Sequence, residues 1–78
     1  MTDARTALIA RLENEIVGLP FAYLTAEDAD FMVARLATDP ALVYGKLIHD
    51  AEVHEECWNQ GKADHIRQTA ARVLDLAL

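Results

Sequence analysis

The stretch His49-Asp50-Ala51-Glu52-Val53-His54-Glu55-Glu56-Cys57 holds every side-chain type that binds a transition metal. Asp50 and His54 stand four apart, and His54 and Cys57 three apart, spacings that put each pair on one side of a helix. His49 and His54 are five apart, about 140° around a helix, so they do not share one ion. A closed site takes four ligands and an open catalytic one usually three. His65, beyond the turn at Gly61, would have to join them, giving His49, Asp50, His54, Cys57 and His65 as the candidate set. The paired Glu-x-x-His signature of di-iron bundles does not occur. The expectation is no metal and no cofactor, with metal binding by these five residues as an alternative. In its place stands a solvated acidic face carrying one helix-embedded histidine.

Covalent chemistry fares no better. Cys57 is the one strong nucleophile, and His54 lies one turn before it. No third residue is evident to orient that base, no Gly-rich oxyanion loop accompanies it, and the acids Glu55 and Glu56 surround the thiol. Cys57 is expected to be partly buried and inert. The chain has no serine, which removes serine hydrolases and also the phosphopantetheine attachment of small acidic carrier bundles. Gly18, Gly45 and Gly61 lie too far apart for a phosphate loop, and Glu27-Asp28-Asp30 lacks the frame of a calcium loop. The protein is expected not to be an enzyme.

These residues need elements to hold them, and helical spacing supplies four. The first is expected from about Asp3 to Val17, capped by Thr2, with Leu8, Ile9, Leu12, Ile16 and Leu19 on one stripe. Gly18-Leu19-Pro20 stops it, with Gly18 free to turn left-handed. Pro20 to Leu24 then reads as an apolar connector folded over the core. Thr25 with Asp28 resembles a capping box that opens a second helix, ending near Thr38. Its inner face is Ala26, Ala29, Val33, Leu36 and Ala37, while Phe31 points away from it.

Asp39-Pro40 opens a third helix running to about Gln60, with Gly61 as its terminator. Tyr44, Leu47, Ile48, Ala51, His54 and Trp58 form its main stripe. Leu42 and Val53 lie on nearly the opposite side, so this helix is expected at the centre, covered on two faces. Gly45 within it suggests close packing or a kink. His54, central in the stripe, is expected to be buried with a backbone carbonyl or a neighbouring side chain as its partner. A fourth helix follows from Lys62 or Ala63 to Leu76, with Ala63, Ile66, Ala70, Val73, Leu74 and Ala77 inward. No strand pattern, repeat or linker competes. The fold expected is all-α: residues 1–78 as a single domain, a compact bundle of three or four antiparallel helices.

Composition agrees and narrows the function. Of 78 residues, 53% are apolar, and a chain this short gains little net stability from its core alone. A net charge of −6 opposes direct binding to nucleic acid or anionic lipid. One cysteine gives no internal disulfide, no apolar run spans a membrane, and no signal peptide precedes the first helix, so a cytoplasmic location is expected. Arg outnumbers Lys and Ala is abundant, which suggests a bacterial or phage coding sequence.

The role expected is a small acidic protein-interaction module, an adaptor, regulator or assembly factor, that binds a protein partner, including itself as a homo-oligomer. Its interaction residues would be Phe31, Leu42 and Val53, together with the acids Glu27, Asp28, Asp30, Glu52 and Glu56. A further alternative uses those acids differently, as an inhibitor that imitates the phosphates of DNA.

Overall fold

The computed structural model describes residues 3–78, and its helices are α1 (Ala4–Val17), α2 (Ala26–Arg35), α3 (Pro40–Glu56) and α4 (Gln60–Ala77). No strand occurs among the described residues. The expected all-α bundle is what the chain forms. The expected cap Thr2 lies outside the described residues; Asp3 occupies the N-cap of α1 without a side-chain cap bond.

α3 and α4 form the most extensive helix pairing, a hairpin whose inner seam is small as well as apolar. Val43, Leu47 and Ala51 of α3 and Ala63, Ile66, Ala70 and Val73 of α4 have no solvent exposure. Burying that seam is what stabilises two helices that would be marginal alone. α1 adds Leu12 and Ile16, α2 adds Ala29, Met32 and Leu36, and Leu19 and Leu24 close the core from the connector. The molecule measures 43 × 21 × 18 Å. That exceeds the roughly 27 Å length of an 18-residue helix, so the helices are offset along the long axis.

Local signals set the helix starts. Thr25 and Asp28 make a complete capping box: the Thr25 hydroxyl accepts the Asp28 N–H, and the Asp28 carboxylate accepts the Thr25 N–H at 2.9 Å. Asp39 accepts the N–H of Leu42 at 3.3 Å, with Pro40 at the first helical position.

The ends depart from the expectation. α2 stops at Arg35, three residues short of Thr38. α3 stops at Glu56, before Gln60, and Gly61 lies inside the first turn of α4. The Asn59 N–H reaches the His54 carbonyl at 2.8 Å and the Trp58 N–H reaches that of Glu55 at 3.1 Å. This is a Schellman turn, and the residue in its left-handed position is Trp58, at φ 64°. Trp58 therefore leaves the stripe assigned to it and stands 92% exposed. Gly18 keeps φ at −90°, so no left-handed turn forms there.

Two inner faces are also rotated from those expected. On α2 the buried residues are Ala29 and Met32, joined by Leu36 at its C-cap, whereas Ala26 and Ala37 are exposed and Val33 is only half-buried. On α4, Thr69 and Leu76 turn inward while Leu74 and Ala77 are exposed. Gly45 is exposed and a Cβ placed on it would meet nothing within 4 Å, so it marks no close approach.

Candidate functional site

The chemical cluster of α3 divides into an inside and an outside. Asp50, expected on a solvated acidic face, has no solvent exposure. Its carboxylate turns to the α1–α2 connector, where Oδ1 accepts the N–H groups of Ala22 at 3.1 Å, Tyr23 at 3.0 Å and Leu24 at 3.4 Å. A carboxylate surrounded by backbone donors is in the arrangement that offsets the cost of burying it. One turn later, His54 is 4% exposed and its Nε2 donates to the carbonyl of Pro20. That carbonyl has no proton to give, so the hydrogen sits on Nε2, and Nδ1 has no hydrogen-bond partner. The partner is a backbone carbonyl, one of the two kinds expected. Nε2 also lies 3.5 Å from Asp50 Oδ2. The two side chains bind five residues of irregular backbone, Pro20 to Leu24, to the middle of α3.

The rest of the metal set disperses. His49 and His65 are exposed on different helices, and Cys57, expected to be partly buried, is also exposed. The physical reason is that α3 ends at Glu56, which puts Cys57 at the C-cap rather than in the helix body. Among the described residues no three His, Cys, Asp or Glu side chains gather closely enough to hold a metal ion. No pocket is present among them either.

An aromatic and cationic cluster lies on the outside of α2 and α3. Phe31 is 41% exposed and its ring lies under two cations, the Arg35 guanidinium at 5.1 Å and the Lys46 ammonium at 5.7 Å from the centroid. Leu42, 38% exposed, precedes Lys46 by one turn on the same side of α3. Further along that side His49 meets the Tyr23 ring edge-on, centroids 4.9 Å apart, and Val53 follows half-buried. The expected second covered face of α3 is thus largely open. Arg35 and Lys46 have no carboxylate within ion-pair distance among the described residues, unlike Arg67 with Glu55 and Arg72 with Glu15.

The acids named from the sequence take different roles. Asp28 is occupied by the capping box, and the Thr25 backbone N–H, followed by its hydroxyl, holds its carboxyl below the ordinary value. Glu27 and Asp30 are exposed at the start of α2, and Glu52 and Glu56 on α3. Spacing brings Phe31, Leu42 and Val53 into view but passes over Arg35, Lys46 and Tyr23. Arg35, one turn after Phe31, shares its helical spacing. Lys46 and Tyr23 belong to other elements and carry no such signal.

No helix among the described residues is long and apolar enough to cross a membrane. Compared with known protein families, curated proteins and solved structures, the chain matches none.

Proposed function

We propose that this protein is a non-enzymatic interaction module that binds another protein chain through the outer face of α2 and α3. The observation that carries this reading is the exposed Phe31 ring, flanked by Arg35 and Lys46 and continued by Leu42. Aromatic and arginine side chains contribute disproportionately to protein interfaces, because each combines apolar area with directional polar contacts. Covering Phe31 and Leu42 would also extend the burial of a short chain whose core supplies limited stability.

Trp58 is more exposed, but every residue from Glu55 to Lys62 is exposed as well, so it ends a corner rather than extending a face.

A photo-crosslinking amino acid placed in turn at positions 31, 42, 58 and 71 tests the assignment in the cells that produce the protein. Covalent protein adducts are expected from 31 and 42 and not from Ala71 on the exposed side of α4. Adducts confined to 58, adducts equal at 71, or none at all would overturn it.

A further inference from the structure

Glu27, Phe31 and Arg35 follow one another at intervals of four, so they form a single line along α2, charged oppositely at its two ends and aromatic at its centre. All three are exposed. Within one helix Glu27 and Arg35 are separated by roughly 12 Å of rise, too far to pair with each other. Neither has an ion-pair partner elsewhere among the described residues, and the Arg35 guanidinium lies over the Phe31 ring, 5.1 Å from its centroid. A line of this kind is its own complement when reversed. Two copies of α2 laid antiparallel about a two-fold axis through Phe31 would bring Glu27 of each beside Arg35 of the other.

On that ground we infer that the occupant of the α2–α3 face is a second copy of this chain, docked isologously with Phe31 on Phe31 at the axis. The inference rests on the interaction reading above and names its partner. Symmetry makes each favourable contact occur twice, which is why closed two-fold dimers are the commonest assembly. Leu42 on the adjoining turn of α3 would flank the paired helices. The net charge of −6 works against any association that does not match charges locally, and this arrangement matches them at both ends. Each copy exposes a single short helix and its neighbour, so the dimer is expected to be reversible rather than permanent.

Charge reversal tests the inference in the full chain. By sedimentation equilibrium from micromolar to millimolar concentration, the protein should approach twice its 8.6 kDa mass. Arg35→Glu and Glu27→Arg should each raise the dissociation constant about tenfold or more. The doubly reversed chain, Glu27→Arg with Arg35→Glu, should recover it. An equimolar mixture of the two single variants should form a heterodimer. These positions are exposed, and unchanged circular dichroism will establish that each variant folds. A monomer throughout the range, single variants that associate as the parent does, or a double variant that stays monomeric would overturn the second-copy assignment. If the chain is monomeric while position 31 still crosslinks to a different protein, the interaction face stands and only its occupant changes; absence of both removes the face as well.

Discussion

Asp50 on α3 accepts the backbone N–H of Tyr23 at 3.0 Å, joining points 27 residues apart in the chain. The same carboxylate serves Ala22 and Leu24, so one buried acid satisfies most of the donors of a connector that has no helix or strand to satisfy them. His54, one turn further on, holds the Pro20 carbonyl. The connector in turn fixes where α2 begins and how it lies on α3. The spacing of Phe31 from Lys46, and with it the outer face, therefore depends on a residue at the centre of the molecule.

Removing that anchor should be costly. Asp50→Ala leaves three backbone donors without an acceptor and is expected to destabilise the fold by about 2–4 kcal/mol in urea denaturation. Asp50→Asn keeps one acceptor oxygen and should cost less. Amide exchange at Ala22, Tyr23 and Leu24 should accelerate in both before α4 is affected. A loss below about 0.5 kcal/mol, or unchanged exchange at these three amides, would show that the connector holds itself.

The face of α2 offers a second test, at a residue that periodicity misplaces. Val33 centres the inner stripe on spacing alone, yet Met32 is the fully buried residue and Val33 is half-buried. Met32→Ala is expected to cost about 2–5 kcal/mol, as deletion of a large core side chain does. Val33→Ala should cost markedly less. Equal losses in denaturation would place the helix at the rotation inferred from spacing.

The contrast separates what local sequence encodes from what packing decides. Helix existence and the start signals at Thr25 and Asp39-Pro40 are local chemistry, and the structure has them where spacing puts them. So is the stripe Leu12, Ile16 and Leu19. Helix rotation and helix ends depend on what lies across the interface. In α2, ten residues long, moving the centre of the inner face from Val33 to Met32 costs the pattern little. α3 looks continuous to Gln60 because Trp58 suits an apolar stripe, but past His54 no core remains for it to meet. Asp50 was hidden for a different reason: an acid among acids reads as surface, and its burial depends on connector amides far away in sequence. The pairing of Phe31 with Lys46 likewise needs two helices to be placed first.

Gly45 should behave as an ordinary exposed helix position. Nothing lies within 4 Å of a Cβ built there, so a methyl group meets no obstacle. Gly45→Ala is expected to stabilise the protein by about 0.5–1 kcal/mol, by reducing the freedom of the unfolded chain. Thermal or urea unfolding measures it. A destabilised variant would mean that the helix bends or packs at this point in solution.

The capping box predicts a pH dependence. Hydrogen bonds from the Thr25 backbone and hydroxyl, with Lys46 adding a smaller effect, hold the Asp28 carboxyl below its ordinary value of 3.8. Its pKa is therefore lower folded than unfolded. The contribution to stability is complete above that ordinary value and is lost as pH falls through the lower, folded one. A nuclear magnetic resonance titration should show the Asp28 carboxyl with a midpoint under 3.8, and the Thr25 amide should report the same transition. Asp28→Asn should weaken the acid-side slope of stability between about pH 5 and pH 2. A midpoint at or above the ordinary value would mean that the box is open in solution.

Among the described residues, Trp58 alone occupies a left-handed backbone position, where a side chain is itself unfavourable. At φ 64° its Cβ crowds the chain, a cost of roughly 1–2 kcal/mol that glycine avoids. The ring is 92% exposed, so deleting it forfeits little burial within the monomer. Trp58→Gly is accordingly expected to raise stability by about 1 kcal/mol, whereas Trp58→Ala, which keeps the Cβ, should leave it within about 0.5 kcal/mol of the parent. The comparison between the two variants isolates backbone strain from loss of the indole. If alanine proves as favourable as glycine, the turn is not left-handed in solution. If both variants are destabilised, the indole is packed against something, and the corner between α3 and α4 is a contact surface in its own right.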